Sequence, residues 1–401
     1  MNDRLELPTH ASTAAPIDGP VVHLAWRLSD SIFGFIGPAT EALARAGLAQ
    51  CIVLVDDAEA SRLMPRLPRD VELVTVPDAR DPLRLHKDLG DALRTVLQRT
   101  PPRAVHLHGF TALTIGSAIA RREAGDARLY FSPHLLRALG ATAPLLRALP
   151  GGWLRHSGLL DGQRMIVNRL EEAYTLHQLT RQPMQVVESA VAPAYFDAAT
   201  SESRHPLIVT GSQRDDRRGV ELFAQLAVLL SGSDLRLSFN WIGRLGAASV
   251  ARLKAANVGY FEIDDDAAIA ARLAAGWVFL APGDSPGFPA FLAQAMAMGL
   301  PCVAMESPEH TDLLRDRETG FLCRSDVEAM ERIARLIDEP LLRRQIGQAA
   351  RREAQSRFSP ESFRGSLYAA YELEAEPAPA PLHRLQRPGF APGAAPAFTT
   401  A

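Results

Sequence analysis

Short apolar runs rich in valine, isoleucine and leucine punctuate this chain, and nearly every one is followed by a segment of helical period. VVHLAW (21–26), CIVLV (51–55), VELVTV (71–76), RAVHLH (103–108), RLYFS (128–132), RMIVN (164–168) and MQVVES (184–189) make a first series. LIVTGS (207–212), LRLSFNWIG, VGYFEI, WVFLAP, PCVAM and GFLC make a second. Strands that alternate with helices need crossover connections, and so build parallel sheets covered on both faces. Two such series joined by a proline-bearing stretch, AVAPAYFDAATSESRHP (190–206), predict two doubly wound α/β domains. The helical segments include PATEALARAG from Pro38, after a glycine-rich loop at Gly34 to Gly37. Others are PLRLHKDLGDALRTVLQ from Pro82 with Asp81 as its cap, and a helix from Arg169. No repeat of 20–50 residues is visible, which excludes solenoids and propellers.

Composition narrows the class. Of 401 residues, 47% are hydrophobic, and 43 basic against 46 acidic side chains leave a net charge of −3. That excludes chain-wide disorder and gives no basic excess for nucleic acid. No apolar run approaches the roughly 18 residues of a membrane span, and the opening MNDRLELPTH has no secretory h-region. Three cysteines, Cys51, Cys302 and Cys323, form no CxxC, so neither a disulfide framework nor a zinc ribbon is expected and a reducing compartment fits. No Cys/His cluster has metal-ligand spacing. Residues 1–19 read as a flexible arm, and 375–401, with six prolines, as a disordered tail.

Candidate chemistry concentrates at the ends of strands. The stretch from Asp284 to Cys323 reads as loop, helix from near Phe288, Gly-Leu-Pro stop and strand. Backbone N–H groups at such a helix start can hold an anion, and Gly287 lets a ligand approach the backbone; an ordinary strand-to-helix turn has the same pattern. Arg214, Arg217 and Arg218 crowd the loop after LIVTGS, where they serve either phosphate or solvent. His134 follows one strand and His108 ends another, as cleft residues or as structural ones. From Ala127 to Leu160 there is no acidic residue, while Arg128, Arg137, Arg147 and Arg155 sit among leucines and Trp153. This segment (127–160) reads either as a peripheral contact with an anionic membrane surface or as a loop lining an acceptor site.

The second half resembles a known family, the retaining GT-B glycosyltransferases of glycosyltransferase family 4. The family's Glu-Gly-Phe-Gly loop stands here as Pro286-Gly287-Phe288-Pro289. Its second glutamate and Ala-Met-Ala-x-Gly-x-Pro-Val-Val-Ala stand as Gln294-Ala295-Met296-Ala297-Met298-Gly299-Leu300-Pro301-Cys302-Val303-Ala304. The next block appears as Asp312-Leu313-Leu314-Arg315-Asp316-Arg317-Glu318-Thr319-Gly320-Phe321-Leu322. The family's Gly-Arg and Lys-Gly around a phosphate-binding loop appear as Gly211-Ser212 and Arg218-Gly219. The first domain is similar more loosely, through Gly34 to Gly37, His108-Gly109 and Pro133-His134. The resemblance spans about residues 20–374.

What the resemblance implies is a GT-B fold, two Rossmann-like domains facing a central cleft. Residues 20–190 form the acceptor-side domain, 191–205 the linker and 206–356 the nucleotide-sugar domain, while a helix over 357–374 crosses back. It implies sugar transfer, with retention, from a nucleotide-sugar donor to a glycan or lipid-linked acceptor, without a metal. The setting is cytoplasmic, or peripheral at the inner membrane face, in bacterial polysaccharide biosynthesis. By the same resemblance Ser212, Arg214, Arg218, Gly287, Phe288 and Gln294 bind donor, His134 contacts the donor sugar as the catalytic candidate, and Gly37 and His108 lie on the acceptor side. Proline at 286, glutamine at 294 and serine at 212 replace a carboxylate, a carboxylate and a cation of the family pattern. They leave open a catalytically impaired relative that binds nucleotide or sugar or assists a partner enzyme, as well as an epimerase or hydrolase.

Overall fold

The structure, a computed structural model, describes residues 19–373 apart from 135–157, 170–171, 174–175, 178–179, 181, 199, 233–235 and 284–287. Its strands are β1 (Val21–Ala25), β2 (Gln50–Asp56), β3 (Glu72–Pro77), β4 (Ala104–His108), β5 (Arg128–Ser132), β6 (Gln163–Val167) and β7 (Met184–Val186) in the first half. The second half holds β8 (Leu207–Ser212), β9 (Ser238–Gly243), β10 (Gly259–Phe261), β11 (Val278–Ala281), β12 (Cys302–Met305) and β13 (Phe321–Cys323). β1 to β7 form one sheet in the order β3-β2-β1-β4-β5-β6-β7, and β8 to β13 another in the order β10-β9-β8-β11-β12-β13. Every pairing between these strands is parallel.

Central strands are buried along their whole length, as a sheet covered on both faces requires. Val21, Val22, Leu24 and Ala25 of β1 and Ile208 and Val209 of β8 have no exposed surface. Each sheet reverses direction once. The first does so between β1 and β4, the second between β8 and β11. At such switch points the loops leaving neighbouring strands diverge and open a crevice at the carboxyl ends.

The expected helix from Pro82 is present as Pro82–Arg99, capped by Asp81, which accepts from the Leu83 N–H at 3.0 Å. The glycine loop before Pro38 is a correction. Asp30–Arg45 is one continuous helix capped by Ser29, and Gly34, Gly37 and Pro38 all lie inside it. Proline removes the N–H that the Gly34 carbonyl takes in a regular helix. The hydroxyl of Thr40 donates to the Gly37 carbonyl at 2.7 Å beside the proline. Sequence cannot show this, because a proline after two glycines also fits a loop.

Helix Pro340–Phe358 packs in the second domain, where Gly347 meets the left-handed turn at Gly299, φ +79°. The chain then returns. Helix Pro360–Tyr371 lies on the first sheet, burying Phe363, Leu367, Ala370 and Tyr371 against Val21, Phe35, Tyr130 and Ile166. The two crossings touch, the Val191 N–H donating to the Phe358 carbonyl at 2.8 Å. Among the described residues no helix is long and apolar enough to cross a membrane.

Candidate functional site

The two switch points face one cleft with a cavity of about 480 Å³, a volume suited to a small ligand. Its second-domain wall is built from the segments after β8 and β11: Gly211 to Arg214, Asp216, Pro282 and Gly283, then Phe288 to Leu292 and Gln294. Helix Ala290–Met298 reaches this wall because Gly211 has no side chain; a Cβ there would stand 2.2 Å from the Phe291 ring. Asp216 accepts from the Gly219 N–H at 3.0 Å, capping helix Arg217–Ser231. Its carboxylate lies in a slot left by two glycines, where a Cβ on Gly283 would come within 1.7 Å of Oδ2.

The first-domain wall is helix Asp30–Arg45, presenting Asp30, Phe33, Gly34, Gly37, Pro38, Glu41 and Arg45, together with Arg62 and Arg66; Glu361 and Arg364 of the returning helix complete it. Arg62 pairs with Asp30 at 2.6 Å. Arg66 reaches across to Asp266 of the second domain at 3.2 Å and lies over the Phe33 ring. Arg45, Arg214 and Arg364 line the cleft with no ion pair among the described residues. Sequence reading missed Arg45, Arg62, Arg66 and Arg364, since nothing local in sequence marks an arginine on a helix as facing a cleft.

The structure brings Ser212, Arg214, Phe288, Gln294 and Gly37 to this cavity. Ser212 is occupied within its loop, its hydroxyl donating to the Arg214 carbonyl at 2.8 Å and accepting from the Arg214 N–H at 3.1 Å. The Oε1 atoms of Gln294 and Gln213 are buried beside the cavity without a hydrogen-bond partner among the described residues. A buried acceptor left unpaired is costly, so both invite a donor group from a ligand. Gly287 and Pro286 lie outside the described residues. Arg218, in the first turn of helix Arg217–Ser231, is exposed and is not among the residues that line the cavity. His310, which sequence reading did not single out, lines the cavity and donates from Nδ1 to the Met305 carbonyl at 2.6 Å.

His134 and His108 are also corrections. Both rings are buried in the first domain, off the cavity wall. His134 Nε2 bonds His108 Nδ1 at 2.8 Å, and His134 Nδ1 bonds the Asn168 amide at 3.3 Å. His108 Nε2 bonds His23 Nδ1 at 3.0 Å. Beside them His106 joins Tyr371 of the returning helix at 2.7 Å and Ser132 at 2.8 Å. Burial drives the imidazolium form out: His23 is pushed down to about 4, His134 to about 3, and His106 and His108 well below the usual histidine range. With both nitrogens committed inside the protein, His134 is not placed to touch a sugar. Residues 135–157, most of the basic segment, lie outside the described residues.

A family model described as "Glycosyl transferases group 1" matches residues 204–339, the whole of the second-domain wall. The human alpha-1,3/1,6-mannosyltransferase ALG2 is 38% identical over 76 residues, a stretch that spans 19% of this chain and 18% of that protein's length. Among solved structures, a glycosyltransferase from Rickettsia africae superposes with a TM-score of 0.72 at 14% identity, covering 88% of this chain and 98% of that one. HepE of Anabaena in complex with UDP and glucose gives 0.68 at 14% identity, covering 88% and 99%. At such identities the superpositions show the fold: two doubly wound sheets about a cleft, the GT-B architecture. The stretch similar to that family carries Ser212, Arg214, Phe288 and Gln294.

Proposed function

We propose that the chain is a glycosyltransferase that moves a sugar, with retention, from a nucleoside-diphosphate donor to a glycan or lipid-linked acceptor. The observation that carries this reading is the second-domain wall of the cleft, in the stretch similar to that family, where Gln213 and Gln294 hold unpaired buried acceptors beside the uncommitted cation Arg214. The Gln294 oxygen suits a ribose hydroxyl, and Arg214 suits the diphosphate. HepE, a structure of the same fold, binds UDP and glucose. In the proposed chemistry the anomeric bond breaks toward an oxocarbenium-like state while charge grows on the leaving diphosphate. Fixed N–H groups at helix Ala290–Met298 and Arg214 stabilise that charge, and no metal is called on. The first-domain wall, with Arg45 and Arg364, receives the acceptor. We place the protein in the cytoplasm, peripheral to the inner membrane face where lipid-linked acceptors are presented.

A binding-only role is the second reading, favoured by the exposure of Arg218 and by glutamine in place of a carboxylate at 294. Calorimetry with UDP, GDP and their sugar conjugates tests the donor site. The proposal expects one of the two nucleotides to bind and Gln294→Leu to weaken it about tenfold, the loss of roughly one hydrogen bond. Absence of binding by any of them removes the donor-site assignment.

A further inference from the structure

The first domain holds a group of side chains that sugar transfer does not use. His106 and His108 alternate on β4, so both imidazoles leave the same face of the sheet. His23 on the neighbouring strand β1 is in register with His106 and adds a third ring to that face. One nitrogen from each of His23, His106 and His108 can be chosen so that all lie within 4.8 Å of one another. Three imidazoles from an alternating pair and its cross-strand neighbour are a convergent nitrogen donor set.

We propose that His23, His106 and His108 form a buried binding site for one imidazole-preferring transition-metal ion of the zinc class, with His134 orienting His108 from behind. Zinc–nitrogen bonds of about 2.0–2.1 Å hold two ligand nitrogens about 3.3 Å apart in a tetrahedral site. His23 Nδ1 and His108 Nε2, at 3.0 Å, already stand close to that spacing. The donor set has no carboxylate or thiolate, which disfavours magnesium and calcium and suits zinc, nickel or cobalt.

One unpaired atom supports the assignment. Asn168 Oδ1 is buried without a hydrogen-bond partner among the described residues. With His108 Nε2 on the ion, its Nδ1–H donates to His134 Nε2, and His134 Nδ1–H donates toward Asn168. The amide then turns its oxygen to His134, an orientation equivalent in shape to the other, and the orphaned Oδ1 gains a donor. Ligand histidines are ordinarily held from behind in this way. Phe35 meets His106 and His134 edge-on and His108 at a tilt, at 5.6–5.9 Å, so the site lies within the packed interior. To turn its Nε2 to the ion His106 gives up the 2.8 Å bond to Ser132, and its Nδ1 stays on Tyr371, which ties the sheet to the returning helix.

The test uses full-length protein without an affinity tag, grown in zinc-supplemented medium and freed of loose metal by gel filtration. Elemental analysis is expected to find about one zinc per chain. Cobalt(II)-loaded protein is expected to show the visible d–d bands of an imidazole-ligated site. His23→Gln and His108→Gln should each weaken zinc binding about 100-fold or more and His134→Asn about tenfold, while the exposed His205→Gln leaves it unchanged. Protein that carries no zinc, both as purified and after refolding in zinc, and that shows no cobalt bands overturns the proposal. So does a folded His23→Gln variant that keeps full affinity. Should the core variants fail to fold, the wild-type stoichiometry and cobalt spectrum decide alone.

Discussion

At the scale of single residues, donor binding turns on which arginine meets phosphate. The motif pattern points to Arg218, but that side chain, in the first turn of helix Arg217–Ser231, is exposed, and Arg214 is on the cleft wall. Arg214→Ala should therefore weaken nucleoside-diphosphate binding by about 1.5–3 kcal/mol, the range for a hydrogen bond to a charged group. Arg218→Ala should change it by less than about 0.5 kcal/mol, as surface substitutions do. Calorimetry on the two variants checks this, and the opposite order would restore the motif's assignment. A second residue-scale expectation concerns acid. His23 and His134 are depressed to about 4 and about 3 by burial, against about 6.5 in an unfolded chain. Between those values the unfolded state binds more protons, so stability rises with pH there and is lost as pH falls through 6.5 toward 4. Above pH 6.5 the rings are neutral in both states and contribute no slope. Chelator-treated protein followed by urea unfolding at pH 7.5, 6 and 5 should show this fall; a flat profile would mean that the rings are accessible to protons in the folded state. The histidines show what sequence hides. His106-x-His108 is visible as a pair, but His23 and His134 join it only through the β1–β4–β5 order of the sheet.

At the scale of elements, most strands and several helix starts were legible, because β-branched runs and caps are local signals. RLYFS and LIVTGS coincide with β5 and β8, and Asp81 caps the helix from Pro82. Helix Asp30–Arg45 was not legible, since its proline and glycines are individually better suited to a loop and only burial of Phe35, Ile36, Ala39 and Leu43 against the sheet overrides them. Close approaches between elements were invisible too. Gly347 lets its helix rest on the Gly299 turn, where a Cβ would come within 2.1 Å of the Gly299 carbonyl oxygen. Gly347→Ala should destabilise the second domain by about 1–3 kcal/mol, as overpacking does, lowering the melting temperature by several degrees. An unchanged melting temperature would show that the helix shifts freely. The crossing between domains is held by Arg357, which forms a bidentate pair with Glu188 at the foot of helix Pro340–Phe358, both side chains largely buried. Arg357→Leu leaves the Glu188 carboxylate unpaired and should cost about 3–5 kcal/mol. Denaturant unfolding measures that loss, and a cost under about 1 kcal/mol would mean that water reaches Glu188.

At the scale of the whole molecule, two rigid sheets meet along a cleft whose sides are bridged by Arg66 and Asp266 and joined by two adjacent crossings near Val191 and Phe358. Hinged lobes of this kind close on ligand. Small-angle scattering should record a smaller radius of gyration at saturating nucleotide sugar, and an unchanged radius would argue for a cleft already closed. The general architecture was legible from the alternation of elements. The arginines of the first-domain wall were not, since helices 30–45 and 360–371 become neighbours only when the chain returns. The central claim is that this cleft transfers sugar, and the departures at 286, 294 and 212 make turnover the direct measurement. Purified protein is incubated with UDP- and GDP-sugars, with and without a membrane lipid extract as acceptor source, and the free nucleoside diphosphate is quantified. A transferase should show acceptor-dependent release of one nucleotide, reduced at least about tenfold by Arg214→Ala through the loss of a charged contact. Clear donor binding with no release above the acceptor-free rate, for any donor, would contradict that claim and leave a protein that binds without transferring.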